Sequence, residues 1–191
     1  MRRIFFSLVL ALALSACGNQ PQQSQVLESP ALTEVEQAFM NNLASLCGKS
    51  FAGKETYTKE GRDRWAHRSM VIYITTCEHD EVHIPFHIDD DQSRTWMFIN
   101  DHGKLRFRHD HRLDDGTPED LTLYGGYADG NGTAFNQSFP ADEYTNTLLN
   151  DELDRQWNVI LSEDLSTMTY ELGYLGEIVF RAEFDLTTPL E

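Results

Sequence analysis

The chain has 191 residues and a formal net charge of −16 at pH 7, from 15 Lys and Arg against 31 Asp and Glu. So acidic a surface repels phosphate backbones and anionic lipid faces, which argues against nucleic-acid binding; it leaves a merely solvated surface or an attraction for cations and metal ions. The length suits one domain with a full core.

The N-terminus comes first. Arg2 and Arg3 precede the apolar run Ile4 to Leu14, and Leu14-Ser15-Ala16-Cys17 follows. This is the layout of a charged n-region, a short h-region and a small-residue cleavage site, and the run falls well short of the roughly 20 residues that span a bilayer. Residues 1–16 therefore read as a removable signal peptide. Leu-Ser-Ala-Cys resembles the lipobox of bacterial lipoproteins. That resemblance implies cleavage before Cys17 and lipidation of its sulfur, so that the membrane itself is a partner. With several acyl chains, at about 0.8 kcal/mol per buried methylene, the attachment would be effectively permanent. Because Gly18 rather than Asp follows the cysteine, the resemblance to Gram-negative lipoproteins further implies sorting to the outer membrane, with the domain facing the periplasm. Loss of Arg2 and Arg3 with the signal would take the net charge from −16 to −18.

Residues 17–30 read as the lipidated cysteine and a polar, Gln-rich flexible tether, and 31–191 as a single β-rich domain. Leu32, Val35, Phe39, Leu43 and Leu46 recur at helical spacing behind Ser29 as N-cap and Pro30 as first helical residue, predicting an amphipathic helix that stops near Gly48. Cys47 and Cys77 remain once Cys17 is committed to lipid. In an oxidising compartment such a pair predicts one disulfide, worth roughly 3 to 4 kcal/mol on the chain-entropy model. A mixed Cys/His metal site is the alternative, and no Cys-x-x-Cys suggests redox chemistry.

Period-two alternation dominates the rest. Strands are predicted over 50–57, 69–77, 82–88, 94–100, 104–111, 121–127, 133–139, 156–162, 167–174 and 178–186. Val82, Ile84, Phe86 and Ile88 share one face of theirs, as do Ile178, Phe180, Ala182, Phe184 and Leu186. Asp101-His102-Gly103 reads as a hairpin turn, as do Gly125-Gly126 and Asp129-Gly130-Asn131-Gly132; the last fails the EF-hand pattern, which needs glycine and glutamate where Ala134 and Pro140 stand. A second helix is predicted over 141–149, after Pro140.

With tight turns and no long helical crossovers, the strands form an antiparallel meander, which avoids exposed edges by closing on itself or by pairing two sheets. Leu46-Cys47-Gly48-x-x-Phe51-x-Gly53 after a helix resembles the start of calycin folds such as lipocalins and fatty-acid-binding proteins. The expected fold is mainly β: a calycin-like β-barrel of about 8 to 10 strands with an N-terminal helix, or else a β-sandwich.

Chemistry concentrates at His109-Asp110-His111-Arg112-Leu113-Asp114-Asp115-Gly116, followed by Tyr124-Gly125-Gly126. Leu105, Phe107, His109 and His111 share the inward face of their strand, while Arg106, Arg108, Asp110 and Arg112 share the face expected to be solvated. Two imidazoles at that spacing suit a divalent metal with ligands from neighbouring strands, or proton transfer near neutral pH. His109, His111, Asp115 and Tyr124 form the candidate ligand-binding set, and His109 with His111 the candidate metal pair. A structural reading, in which both rings cap the core and bond to Asp114, Asp115 or Tyr124, stays open beside these. His83 and His87 lie on the outward face of their strand, near Asp89-Asp90-Asp91. No nucleophile elbow, P-loop, His-Glu-x-x-His or dinucleotide fingerprint occurs, so no catalytic residue is assigned and a binding or structural role is favoured over an enzyme.

His-Asp-His-Arg, then Asp-Gly, then Tyr-Gly-Gly, with Arg94-x-Trp96, Phe139-Pro140-Ala141-Asp142 and Phe184-Asp185-Leu186-Thr187, resembles an uncharacterised family of proteobacterial secreted or lipoprotein-type proteins; it transfers no mechanism. The expectation is a membrane-anchored envelope lipoprotein that binds a small or apolar ligand in its barrel without a cofactor. A metal-binding or hydrolytic protein centred on His109 and His111, and a structural lipoprotein without ligand, are the alternatives.

Overall fold

The computed structural model describes residues 30–62, 66–150 and 153–191. The signal segment, Cys17, most of the tether and Ser29, the expected helix N-cap, lie outside these residues. Helix α1 (Glu34–Ala44) begins at Thr33 instead, in a capping box: Glu36 N–H donates to the Thr33 hydroxyl at 3.2 Å, and Thr33 N–H donates to the Glu36 carboxylate at 3.1 Å. Phe39 and Leu43 are buried as the spacing required. Met40 completes the buried stripe, and Val35 faces solvent.

The strands are β1 (Ser50–Thr58), β2 (Met70–Tyr73), β3 (Thr76–Cys77), β4 (Glu81–Ile88), β5 (Asp91–Asn100), β6 (Leu105–His111), β7 (Tyr124–Tyr127), β8 (Asn136–Pro140), β9 (Arg155–Leu161), β10 (Thr167–Tyr174) and β11 (Glu177–Asp185); α2 (Glu143–Leu149) separates β8 from β9. All pairings are antiparallel, in the order β7-β6-β5-β4-β2-β1-β11-β10-β9-β8, with β3 beside β4. The two ends of the sheet meet: Asp129 N–H donates to the Ser138 carbonyl at 3.0 Å and Asp142 N–H to the Gly125 carbonyl at 3.1 Å. The result is a nearly closed, mainly β barrel with an N-terminal helix.

Local chemistry explains the departures from the predicted strands. The stretch 69–77 splits into β2 and β3 opposite Pro85, which has no N–H to offer a neighbouring strand. Leu123 adopts a left-handed φ of +57°, so β7 starts at Tyr124. Gly125-Gly126 is strand rather than turn. A Cβ on Gly126 would lie 1.7 Å from the Pro140 carbonyl oxygen, so glycine lets β7 approach the chain at the end of β8 where the barrel closes. His102 and Gly103, at φ +54° and +82°, make the two-residue turn between β5 and β6.

Aromatic rings fill the interior. Trp96 stacks on Tyr170 at 4.5 Å and on Phe86 at 4.6 Å, and Phe98 stacks on Phe107 at 4.8 Å. Helix α1 packs across one end, with Phe39 edge-on to Phe98 at 5.8 Å and Asn42 donating to the Ala134 carbonyl at 2.8 Å. Pro30, ahead of α1, and Leu190, near the C-terminus, bind at that same end: Asn100 Nδ2 donates to the Pro30 carbonyl at 3.0 Å, and Leu190 N–H to the Ser50 carbonyl at 2.8 Å. The Cys47–Cys77 disulfide also sits there, joining the segment after α1 to β3. The other end, the mouth, is bounded by the 89–90 and 175–176 turns, the 112–123 loop and α2.

The outward face of β6 is a correction to the sequence reading. Arg108 and Asp110 are buried, not solvated, because α2 and the 112–123 loop fold over them. Asp142 takes an ion pair from Arg108 and stands 3.7 Å from Arg106, while Thr122 donates to Asp110 at 3.1 Å. A buried guanidinium needs such a partner, since removing one half of the pair would strand a charge.

Candidate functional site

The alternation of β6 delivers His109 and His111 to the interior, and both are buried. His109 is the deeper. Its Nδ1 lies 3.3 Å from the Tyr124 carbonyl oxygen, which can only accept, so the proton sits on Nδ1 and Nε2 accepts from the Tyr170 hydroxyl at 2.9 Å. The Trp157 indole bonds in turn to Tyr170. The imidazole stacks on Tyr124 at 4.6 Å and meets Phe107 edge-on at 4.6 Å. Burial, followed by the positive neighbours His111, Arg108 and Arg94, pulls the His109 pKa down to about 3, so the ring is neutral at any physiological pH.

His111 lies one layer nearer the mouth. The Tyr124 hydroxyl is hydrogen-bonded to its Nε2 at 3.0 Å, its Nδ1 stands 3.8 Å from the Glu119 carboxylate, and its backbone N–H donates to the Thr122 hydroxyl at 2.7 Å. Burial and then Arg94 lower its pKa, opposed by Glu119, Asp91 and Asp110. Burial also pushes the Tyr124 phenol up to about 12 and raises Tyr170 well above its ordinary value, so both hydroxyls keep their protons.

The structure therefore brings together His109, His111 and Tyr124 from the sequence set. Asp115 is not among their partners. It is exposed, accepts from Thr117 N–H at 2.9 Å, and lines a neighbouring open groove of about 600 Å³ with Asp91, Arg94, Arg112 and Glu119. Both ring nitrogens of His109 are engaged by Tyr124 and Tyr170, which leaves it no lone pair to share with His111. Among the described residues no three His, Cys, Asp or Glu side chains converge as metal ligands.

Two arginines complete the layer. Arg94 pairs across the ladder with His111 and has the parity of Trp96 and Phe98; Arg155 pairs with Tyr174 and has the parity of Trp157 and Val159. Both are therefore inward positions. Arg94 bonds Asp91. Arg155 donates to the Tyr174 hydroxyl and lies 4.6 Å from the centre of its ring, with Arg62 4.3 Å from the same ring. The sequence reading missed Arg94 and Arg155 as site residues. The available signal was parity, since each is a cation continuing the inward face of an apolar strand at its mouth end.

No protein family, curated protein or solved structure matches this chain. The function has to be argued from the mouth itself. Its chemistry is a floor of aromatic rings and the neutral, fully bonded His109 imidazole under a layer of His111, guanidinium and phenol groups, with Asp91 and Glu119 as the carboxylates beside it.

Proposed function

We propose that the chain is an envelope lipoprotein, anchored through lipid on Cys17 on the periplasmic side of the outer membrane, whose barrel binds a small organic anion at its mouth. One observation carries the ligand class: inward-facing strand positions at that end hold Arg94, Arg155 and His111 in a chain of net charge −16. Guanidinium groups suit carboxylate or phosphate oxygens because their fixed fork of donors can bond two oxygens at once. An apolar ligand deep in the barrel is less well supported, since rings such as Trp96, Phe98, Phe107 and Trp157 already occupy that volume. The tether would leave from the terminal end beside Asn100, opposite the mouth, and its 13 residues could reach at most about 45 Å.

The same filled interior favours a second reading, a structural lipoprotein without ligand. Titration of the mature protein with citrate and with a long-chain fatty acid, followed by tryptophan fluorescence, separates the readings. Saturable citrate binding that weakens tenfold or more in Arg94→Gln and in Arg155→Gln supports the anion site. Stoichiometric fatty-acid binding alone moves the ligand into the barrel, and no binding of either leaves the structural reading. The anchor has its own test. Cys17→Ser should abolish lipid labelling and leave the precursor uncut; a processed, membrane-bound mutant would refute it.

A further inference from the structure

We infer that the rim around the mouth is a docking face for another protein, one whose contact surface sets apolar anchors among cationic side chains. Eight large apolar side chains are exposed among the described residues, and six of them stand at or near the mouth end: Tyr57, Leu113, Leu121, Leu123, Tyr144 and Leu175. Scattered exposed leucines need no explanation, but apolar surface gathered at one end does. Tyr144 is tied to the 112–123 loop by its hydroxyl, which donates to the Thr122 carbonyl at 3.1 Å, so it lies beside Leu121 and Leu123 as one patch.

Two of these leucines occupy backbone positions that disfavour them. Leu123 has φ +57°, held by its N–H donating to the His109 carbonyl at 2.7 Å. Leu175 has φ +51° and Gly176 φ +77° in the two-residue turn joining β10 to β11, where the first position favours asparagine, aspartate or glycine. Leu175 is 67% exposed, so no packing within the chain compensates for that choice. A bulky apolar residue placed against backbone preference and left in solvent is accounted for by an external contact.

The charge around the part of the rim formed by Leu113, Leu121, Leu123 and Tyr144 points to the occupant. Every charged side chain between Leu113 and Leu123 is acidic, namely Asp114, Asp115, Glu119 and Asp120, and Glu143 precedes Tyr144. A second copy would bring the same carboxylates against them, and an anionic lipid surface would be repelled. A protein face of lysine and arginine around leucine or aromatic anchors complements both the charge and the apolar patch. Leu113, Asp114, Asp115 and Glu119 border the groove that Arg94 also lines, whereas Leu121, Leu123, Tyr144 and Leu175 lie outside it, so replacing Leu121 and Leu123 tests the docking face separately from the anion site.

The test places a photo-activated crosslinking side chain at Leu121, Leu123 or Leu175 of the full chain in its native cell, with Val35 at the opposite end as control. One protein adduct should form at the rim positions and not at Val35. After identification and purification, that protein should bind the mature chain at least tenfold more weakly in Leu121→Ser/Leu123→Ser, in Asp114→Asn/Asp120→Asn, and at high salt. Both variants change exposed side chains only, and an unchanged thermal melt confirms their folding. An adduct to lipid, to a second copy, to a partner insensitive to these variants, or no adduct at all overturns the inference.

Discussion

Replacing His109 by Gln tests the electrostatics of the interior without dismantling its hydrogen bonds. The amide can donate towards the Tyr124 carbonyl and accept from the Tyr170 hydroxyl, the two bonds that the neutral imidazole makes at 3.3 and 2.9 Å. What the change removes is a proton site. In the folded chain the pKa of His109 is pulled down to about 3, against an ordinary value of 6.5. Between those values the unfolded state holds the proton and the folded state does not. The contribution of His109 to stability is therefore fully present above pH 6.5 and is lost as pH falls towards 3. From pH 8 to pH 5 the loss works out at about 2 kcal/mol for this one group. His111 and His87, whose pKa values burial also lowers, add to the slope in both proteins and cancel in the comparison. Urea unfolding at pH 8, 7, 6 and 5 should show the parent losing about 2 kcal/mol more than His109→Gln over that range. Parallel pH profiles for the two proteins would refute a buried, neutral His109.

Two further changes probe the frame that holds the site. Gly126→Ala puts a methyl group on the Pro140 carbonyl and should cost about 3 kcal/mol or more by parting β7 from the end of β8, whereas Gly130→Ala, with open space around it, should cost only about 1 kcal/mol. Equal thermal melts for the two would mean that the barrel does not close there. Replacing Cys47 and Cys77 together by Ser should lower stability by about 3 to 4 kcal/mol, and thiol titration of the unfolded, unreduced parent should find neither thiol free.

What was legible in the sequence was whatever depends on alternation within a single segment. Val82, Ile84, Phe86 and Ile88 had to face one way, and all four are buried. Leu105, Phe107, His109 and His111 follow the same rule, which is why two histidines could be placed in the interior before any neighbouring strand was known. The turn at His102-Gly103 was equally local, and the pairing of Cys47 with Cys77, though 30 residues apart, followed from count, because only these two cysteines remained once Cys17 was assigned to lipid. Less legible was anything set by a distant partner. Arg108 and Asp110 alternate like solvated residues, yet α2, some 30 residues further along, covers them. Gly125-Gly126 has the composition of a turn, and only the approach of Pro140 shows that it is strand. Val35 fits the helical stripe by spacing, but the Thr33 capping box starts the helix four residues after Ser29 and Met40 takes the buried place.

The candidate site divides along the same line. His109, His111 and Tyr124 come together because register aligns His109 with Tyr124 and Trp96 in adjacent strands, and alternation alone already put both histidines inside. Arg94 and Arg155 could not be assigned so easily, because a cation at a strand end usually marks where the chain turns out to solvent. Their significance comes from register across two separate ladders, β5 with β6 and β9 with β10, which carries both into one layer above Trp96 and Trp157. An inward cation at a strand end thus has two sequence readings, an escape to solvent or a functional rim, and closure of the barrel decides between them. Here closure keeps Arg94 against His111 and Arg155 against Tyr174, so the charge is held over the aromatic floor, where a ligand could meet it.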